Sequence, residues 1–438
     1  MTALTDRVER ADAGLAAWRP SRRLIGLILV AFTLTAIGHT IGLPFTRTFP
    51  AFDRIDIDVY RMGAQVWRNG GSLYASGSMP FTTDGIWLPF TYPPFAALMF
   101  LPFSTVPLAV AGVAITLSTV VLTVVIARIV LFRLSIGTPE NRLWIALVVA
   151  TGALWLNPFW MTLGYGQVNV VLMALVAVDL LLVPRDSPWR GVLIGVAAAI
   201  KLTPMAFVLI LLVRAEWRAA LRAVGAFVGL AAVAAVWAPA DSVRYWTHTV
   251  FHTDRIGDLS GGNNQSVNGF LVRLFGGSGH TEHVLWAMAV VALTALAVVA
   301  IRRCAPLGGD VLPVAVTAVW ALLVSPTSWA HHWVWSLPAV LALAVVAVRS
   351  PDRTIRRCYG TLAVTGVLAF AAGPFQFLPR RPAVWDALDA VAGNAYCLWG
   401  LAVLVTITVV GRDTVRRRAR PGSNRVRRPA PRSPLQPS

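Results

Sequence analysis

The chain has 438 residues, 56% of them hydrophobic and 13% charged, with a formal net charge of +18 and a mean hydropathy of +0.66. A soluble domain carries about 25% charged residues, so this composition excludes an ordinary soluble protein and describes a chain of many membrane spans. The basic excess does not describe a nucleic-acid binder, because the arginines stand in short clusters between apolar runs, where positive-inside charge sets orientation. Cys304, Cys358 and Cys397 lie far apart without metal-ligand spacing and are read as free thiols.

Residues 1–23 carry Arg7, Arg10, Arg19, Arg22 and Arg23 and are expected in the cytoplasm. The apolar run 24–43 is too long for a signal h-region and is expected to stay as the first span. It delivers a polar first loop, 44–106, to the opposite face. That loop holds four of the 20 acidic residues, Asp53, Asp56, Asp58 and Asp84. Residues 63–69 suit a short surface helix ended by Asn69-Gly70-Gly71. Residues 88–103 are broken by Pro89, Pro93, Pro94 and Pro102, which predicts a dipping element rather than a plain span.

Spans follow at 107–131, 143–156 and 168–183, with the short loop 157–167 between the last two. The run 191–213 has arginine at both ends and Lys201-Leu202-Thr203-Pro204 in its middle. Two half-length helices meeting near Pro204 satisfy the charge rule, whereas one straight helix breaks it. Residues 221–237 cross outward, a polar connection covers 239–282, and further spans occupy 283–301, 311–324, 334–348, 355–372 and 387–410. The expected fold is an all-α integral membrane protein of roughly ten to twelve transmembrane helices, with a catalytic domain over 24–410 and both termini in the cytoplasm. The tail 411–438 holds nine arginines against one aspartate among many prolines and reads as disordered, resting on anionic lipid. No internal repeat supports an inverted-repeat transporter.

This charge-based topology gathers five polar clusters on the outer face: the aspartates 53, 56 and 58, Tyr92-Pro93-Pro94, Gln167-Val168-Asn169, Asn263-Asn264-Gln265-Ser266, and His331-His332. An outward cavity explains the collection. In a short extended piece Asp56 and Asp58 point the same way, and spacing alone does not choose between them as a general base on a sugar hydroxyl. Capping the next helix or pairing with Arg54 and Arg61 is the expected role of Asp53 and Asp56. Lys201, the sole lysine, is costly inside an apolar segment and suits a phosphate partner; snorkelling to the interface is the bland alternative. The adjacent His331 and His332 diverge by about 100° on a helix and have no third ligand at metal spacing, so no metal site and no cofactor are expected. One histidine is expected to donate to an anionic leaving group while the other packs. Asn263, Asn264 and Gln265 offer the neutral donors and acceptors that sugar hydroxyls need.

These motifs carry a resemblance. Asp58-Val59-Tyr60, Leu73-Tyr74, Phe90-Thr91-Tyr92-Pro93-Pro94, Gly166-Gln167-Val168-Asn169, Lys201-Leu202-Thr203-Pro204, Asn264-Gln265-Ser266 and His331-His332 occur in an order that resembles the polyprenol-phosphate-mannose-dependent mannosyltransferases of glycosyltransferase family 87, which have the GT-C architecture. The resemblance covers all but the two ends of the chain. It implies inverting α-1,2 transfer of mannose from a β-linked mannosyl phosphoryl polyprenol to a phosphatidylinositol mannoside, carrying a tetramannoside toward the penta- and hexamannoside. It also implies Asp58 as the general base, Lys201, His331 and His332 as stabilisers of the leaving phosphate, and Tyr60, Tyr92, Gln167, Asn169, Asn263, Asn264 and Gln265 as sugar or acceptor contacts. The partners it implies are lipids at the plasma membrane, with the site on the outer face and without nucleic acid.

Rivals are a lipomannan or arabinomannan α-1,2-mannosyltransferase of the same family, an arabinofuranosyltransferase of the same architecture, and, from another class, a lipid-linked sugar flippase or transporter. A transporter calls for matched helix breaks in two halves, and only the one near Pro204 is legible.

Overall fold

The computed structural model describes residues 18–42, 54–379 and 385–419. Among them no strand forms; isolated bridges join Phe81 to Trp87 and Asn264 to Trp329. The helices that position the site are α1 (Arg22–Ile41), α2 (Ile55–Arg68), α3 (Leu108–Arg133), α4 (Pro139–Leu154), α5 (Asn157–Tyr165), α6 (Asn169–Leu181), α7 (Val192–Ile200), α8 (Val208–Val213), α9 (Trp217–Trp237), α10 (Pro239–Thr247), α11 (Val267–Phe275), α12 (His280–Gly308), α13 (Val311–Val324), α14 (Ser336–Arg349), α15 (Arg353–Ala372), α16 (Ala387–Gly393) and α17 (Ala395–Ala419).

Six helices among the described residues are long and apolar enough to cross a membrane, or eight if each of the bent pairs α4–α5 and α16–α17 is one span. The count is lower than the ten to twelve expected because the apolar runs at Asn169–Leu181, Thr203–Val213 and Val311–Val324 make helices of only 10–17 residues, short of the ~20 a bilayer requires. Apolar side chains on the long helices point outward: Leu27 is 66% exposed, Leu221 72% and Val291 71%. A soluble protein does not leave such faces bare, and a multi-pass membrane protein covers them with lipid. The last helix runs on to Ala419, past the boundary expected at 410; residues 420–438 lie outside the described residues.

The segment 191–213 folds as two short helices broken at Lys201, whose backbone is extended (φ −146°, ψ 124°) before a 3-10 turn at Thr203–Phe207. Proline at the start of that turn removes the donor that a continuous helix needs. Both flanks meet in one ion-pair network. Arg190 pairs with Glu216 at 2.9 Å, Arg214 with Asp310 at 3.1 Å, and Arg185 bridges to Asp310 at 3.0 Å and Glu216 at 3.6 Å. Arg133 joins through Asp310 as well. The ends therefore emerge together, as paired half-helices do, and Lys201 sits at the tip. Gly191 and Gly195 let α7 lie against α9, since a Cβ at either would stand 2.1 Å or 2.3 Å from the Ala219 or Ala223 carbonyl oxygen.

Asp56 and Asp58 lie on α2, a helix that begins at Ile55 and so takes in far more than the 63–69 turn expected. The sequence Ile57, Met62, Ala64 with Tyr60 supplies a buried face that selects helix over the extended piece. At about 100° per residue, positions two apart point to nearly opposite sides. Asp53 lies outside the described residues, and Asp84 is exposed in the loop.

Candidate active site

The polar centre forms where α2, the α5–α6 turn, the Lys201 break and the 3-10 turn at Ala330–Trp335 converge. Gly166 closes α5 in the left-handed conformation (φ 72°). A side chain there would stand 3.0 Å from Arg54 Cβ and 3.2 Å from Ile57, so glycine is what lets the next residue, Gln167, reach α2.

Gln167 Nε2 donates to Asp56 Oδ2 at 2.8 Å. Its Oε1 accepts from the Tyr60 hydroxyl at 2.9 Å and lies 3.5 Å from Lys201 Nζ. The Tyr60 and Tyr92 hydroxyls are 3.0 Å apart, Tyr60 stacks on Phe100 at 4.2 Å, and Lys201 Nζ stands 5.6 Å over the Tyr92 ring. Lys201 also donates to Asn169 Oδ1 at 3.2 Å and contacts His332 Nε2 at 3.2 Å. A lysine ammonium has only donors, so His332 must accept at Nε2 and carry its proton on Nδ1. The buried His331 ring packs edge-on against Tyr165 and His332, and neither of its nitrogens has a partner among the described residues. Its carbonyl is gripped by Thr162 Oγ1 and Asn169 Nδ2, each at 2.9 Å.

The two aspartates separate here. Asp58 Oδ1 pairs with Arg61 at 3.0 Å, while Oδ2 accepts from both the backbone and hydroxyl of Thr83 at 2.9 Å. Through Thr83 the carboxylate ties α2 to the following loop, and through Arg61 it pairs within α2. Asp56, in the first turn of α2, makes no arginine pair among the described residues; its partner there is the Gln167 amide. Loss of hydration pushes the Asp56 carboxyl up to about 6, against the lowering effects of Gln167 and Lys201. The same burial raises the Tyr60 and Tyr92 phenols, which stay neutral donors.

In the asparagine–glutamine loop the side chains of Asn264 and Gln265 are taken up by the fold. Gln265 Nε2 donates to the Gly262 and Gly393 carbonyls at 2.6 Å, and its Oε1 accepts from Tyr396 N at 3.1 Å. Asn264 Oδ1 accepts from Ser328 N and Ser266 Oγ, and its Nδ2 donates to Leu259 O. Asn263 is exposed and offers its carbonyl to Ala330 N at 2.8 Å. Arg273 clamps the loop through the Gly261 and Asn264 carbonyls and the Asn394 side chain. The loop is thus a brace for the turn that carries His331 and His332, and Arg273 is a residue that sequence reasoning missed. Three arginines, Arg244, Arg255 and Arg273, stand on the predicted outer connection against the charge rule, and that was the available signal.

Beside the lysine, an apolar cavity runs between α6, α13 and the 3-10 turns, lined by Met173, Val176, Phe207 and Leu322, with Asn169 and His332 at its polar end. Among the described residues no three His, Cys, Asp or Glu side chains gather as a metal would require.

A multi-pass helical membrane protein with a buried carboxylate and a lysine gathered at one polar centre has the make-up of a membrane-embedded enzyme. The chain belongs to glycosyltransferase family 87, whose model matches residues 90–326. It is 38% identical over 92% of its length to a Mycobacterium tuberculosis protein named polyprenol-phosphate-mannose-dependent alpha-(1-2)-phosphatidylinositol mannoside mannosyltransferase, covering 97% of that protein. It is 40% identical to the Mycolicibacterium smegmatis protein of the same name, covering 94% of each chain. A second M. smegmatis relative, named as a phosphatidylinositol pentamannoside mannosyltransferase, is 29% identical over 89% of this chain and 90% of its own. Among solved structures, ArnT from Cupriavidus metallidurans bound to undecaprenyl phosphate aligns over 90% of this chain and 78% of its own at a TM-score of 0.39 and 16% identity.

Proposed function

We infer that the chain moves mannose from polyprenyl-phosphate-mannose to the 2-hydroxyl of a phosphatidylinositol mannoside, forming an α-1,2 link by a single inverting displacement. The observation that carries this reading is the opposition of Asp56 and Lys201 across Gln167, with the lysine's partners Asn169 and His332 also lining a small apolar cavity. The relatives' names supply the donor and acceptor classes.

In this mechanism the Asp56 carboxylate takes the proton of the acceptor hydroxyl. The freed oxygen forms a bond to the anomeric carbon as the carbon–oxygen bond to phosphate breaks, and the electron pair leaves on the lipid phosphate. A raised carboxyl makes a stronger base at neutral pH than an ordinary aspartate. Lys201 stabilises charge on the departing phosphate, and His331, with its ring nitrogens unpartnered, donates to the phosphate or to a sugar hydroxyl. Asp58 was the base implied by resemblance; its ion pair with Arg61 and its bonds to Thr83 favour an anchoring role, and the geometry favours Asp56 as base. Tyr60, Tyr92 and Asn169 act by holding Gln167 and Lys201.

The arginine clusters support a site on the outer face of the plasma membrane with both termini in the cytoplasm. The step we favour is tetramannoside to pentamannoside, because the relative named for a pentamannoside acceptor is the more distant of the two kinds. The test is purified protein with polyprenyl-phosphate-mannose and either a tetramannosylated or a pentamannosylated acceptor. Transfer to the tetramannoside is expected; no transfer to either sinks the reading.

A further inference from the structure

Asp56 and Lys201 carry opposite charge and share one polar centre, yet they do not meet. The Gln167 amide stands between them, its NH2 on the carboxylate and its carbonyl toward the ammonium. The Tyr60 hydroxyl, donating to that carbonyl, holds the amide in this sense. Reversing it would set NH2 against ammonium and carbonyl against carboxylate. Lys201 is drawn the other way by Asn169 and His332.

We propose that Gln167 is a positioning residue, a neutral spacer that stops the base and the lysine from collapsing into an ion pair. The inference rests on Asp56 being the base and deepens that reading. A carboxylate in contact with a lysine is typically depressed by about 1–3 pH units, which would weaken it as a base and tie up the donors needed for phosphate. A neutral amide also lowers the carboxyl through its hydrogen bond, but it keeps the ammonium's charge away and leaves the lysine's donors free of the carboxylate. The groups facing Asp56 are the phenols of Tyr60, Tyr92 and Tyr165 and the ammonium of Lys201, with His332 behind it. Arg54, on the same segment, is turned to the His39 carbonyl. Among the described residues, Lys201 is therefore the cation whose approach would change Asp56.

The test is the pH dependence of kcat/KM for wild type, Gln167→Ala and Gln167→Asn, with the donor and acceptor above. In Gln167→Ala the acid limb is expected to move toward lower pH by about one unit or more as Lys201 closes on Asp56. Gln167→Asn, which keeps an amide on a shorter arm, is expected to fall between. A merely structural role would lower the plateau and leave the limb in place. Infrared titration of the protonated Asp56 carboxyl band, assigned by its loss in Asp56→Asn, gives the same readout when a variant is inactive. A limb and band that stay, or move to higher pH, overturn the spacer. Full transfer by Asp56→Asn would instead remove the base assignment, while the infrared shift would still judge the spacer.

Discussion

Asp56 and Asp58 sit two residues apart on one helix, and the rotation between them sends Asp56 to Gln167 at 2.8 Å and Asp58 to Arg61 at 3.0 Å. Two carboxylates of the same segment thus take different work. Removing the base should cost catalysis with little loss of fold, and removing the anchor should do the reverse. Asp56→Asn is expected to reduce kcat by roughly 10²–10⁴-fold, with the protein still monodisperse in detergent. Asp58→Asn is expected to lose about 1–3 kcal/mol of stability and keep measurable transfer. Side-by-side mannose transfer assays and thermal unfolding decide it; an inactive, fully stable Asp58→Asn would return the base to Asp58.

The Asp56 carboxyl, raised by burial to about 6, also sets a pH dependence. As a base it must be ionised, so kcat/KM should fall as pH drops through about 6. The stability effect runs the other way. A carboxyl held higher in the folded state than in the unfolded chain binds its proton more tightly when folded. Its contribution is full below the unfolded value and is lost as pH rises through about 6. At pH 7.5 the ionised group is therefore a cost, and Asp56→Asn is expected to melt higher than wild type there while being inactive. A lower melting temperature for the variant at pH 7.5 would contradict the raised carboxyl.

Lys201 supplies a point charge on a flexible stem, held at 3.2 Å by both Asn169 and His332. Lys201→Met is expected to cost on the order of 10²–10³-fold in kcat. Lys201→Arg should rescue little, because the planar guanidinium cannot fit the same three acceptors. Single-turnover transfer with preloaded donor reads the chemical step directly.

The brace predicts a split within one loop. Gln265→Ala strands the Gly262 and Gly393 carbonyls and the Tyr396 amide and is expected to destabilise by roughly 2–4 kcal/mol. Asn263→Ala keeps the backbone bond to Ala330 and should be neutral to stability. A large rise in acceptor KM for Asn263→Ala would restore the sugar-contact role expected of it.

The shared ion network at the ends of 191–213 predicts sidedness. In a background with Cys304, Cys358 and Cys397 replaced by serine, cysteines at the exposed positions Trp189 and Trp217 should react with an impermeant maleimide from the same side. Asp84→Cys should react from the other. Opposite labelling of 189 and 217 would rule out the paired half-helices.

The sequence by itself determined the class of protein and the cast of the site. Apolar runs bounded by arginine mark the membrane segments, because the bilayer penalises charge locally along the chain, while the length of helix each run makes is set by the fold. For the same reason the doubled-back segment at Lys201 was legible: arginine at both ends and Pro204 in the middle admit few other solutions. The motifs pointed to Gln167, Asn169, Lys201 and His332, which do converge. Only the tertiary structure decided what each does. Whether Asp56 and Asp58 point together or apart depends on whether α2 is a helix, and that was settled by the burial of Ile57, Tyr60 and Met62 against neighbours distant in sequence. The glutamine and asparagines of 263–265 look alike in a sequence, but their hydrogen bonds go to Ser328, Gly393 and Tyr396, more than sixty residues away. Polar side chains announce that they need partners; which partners they find is a property of the fold.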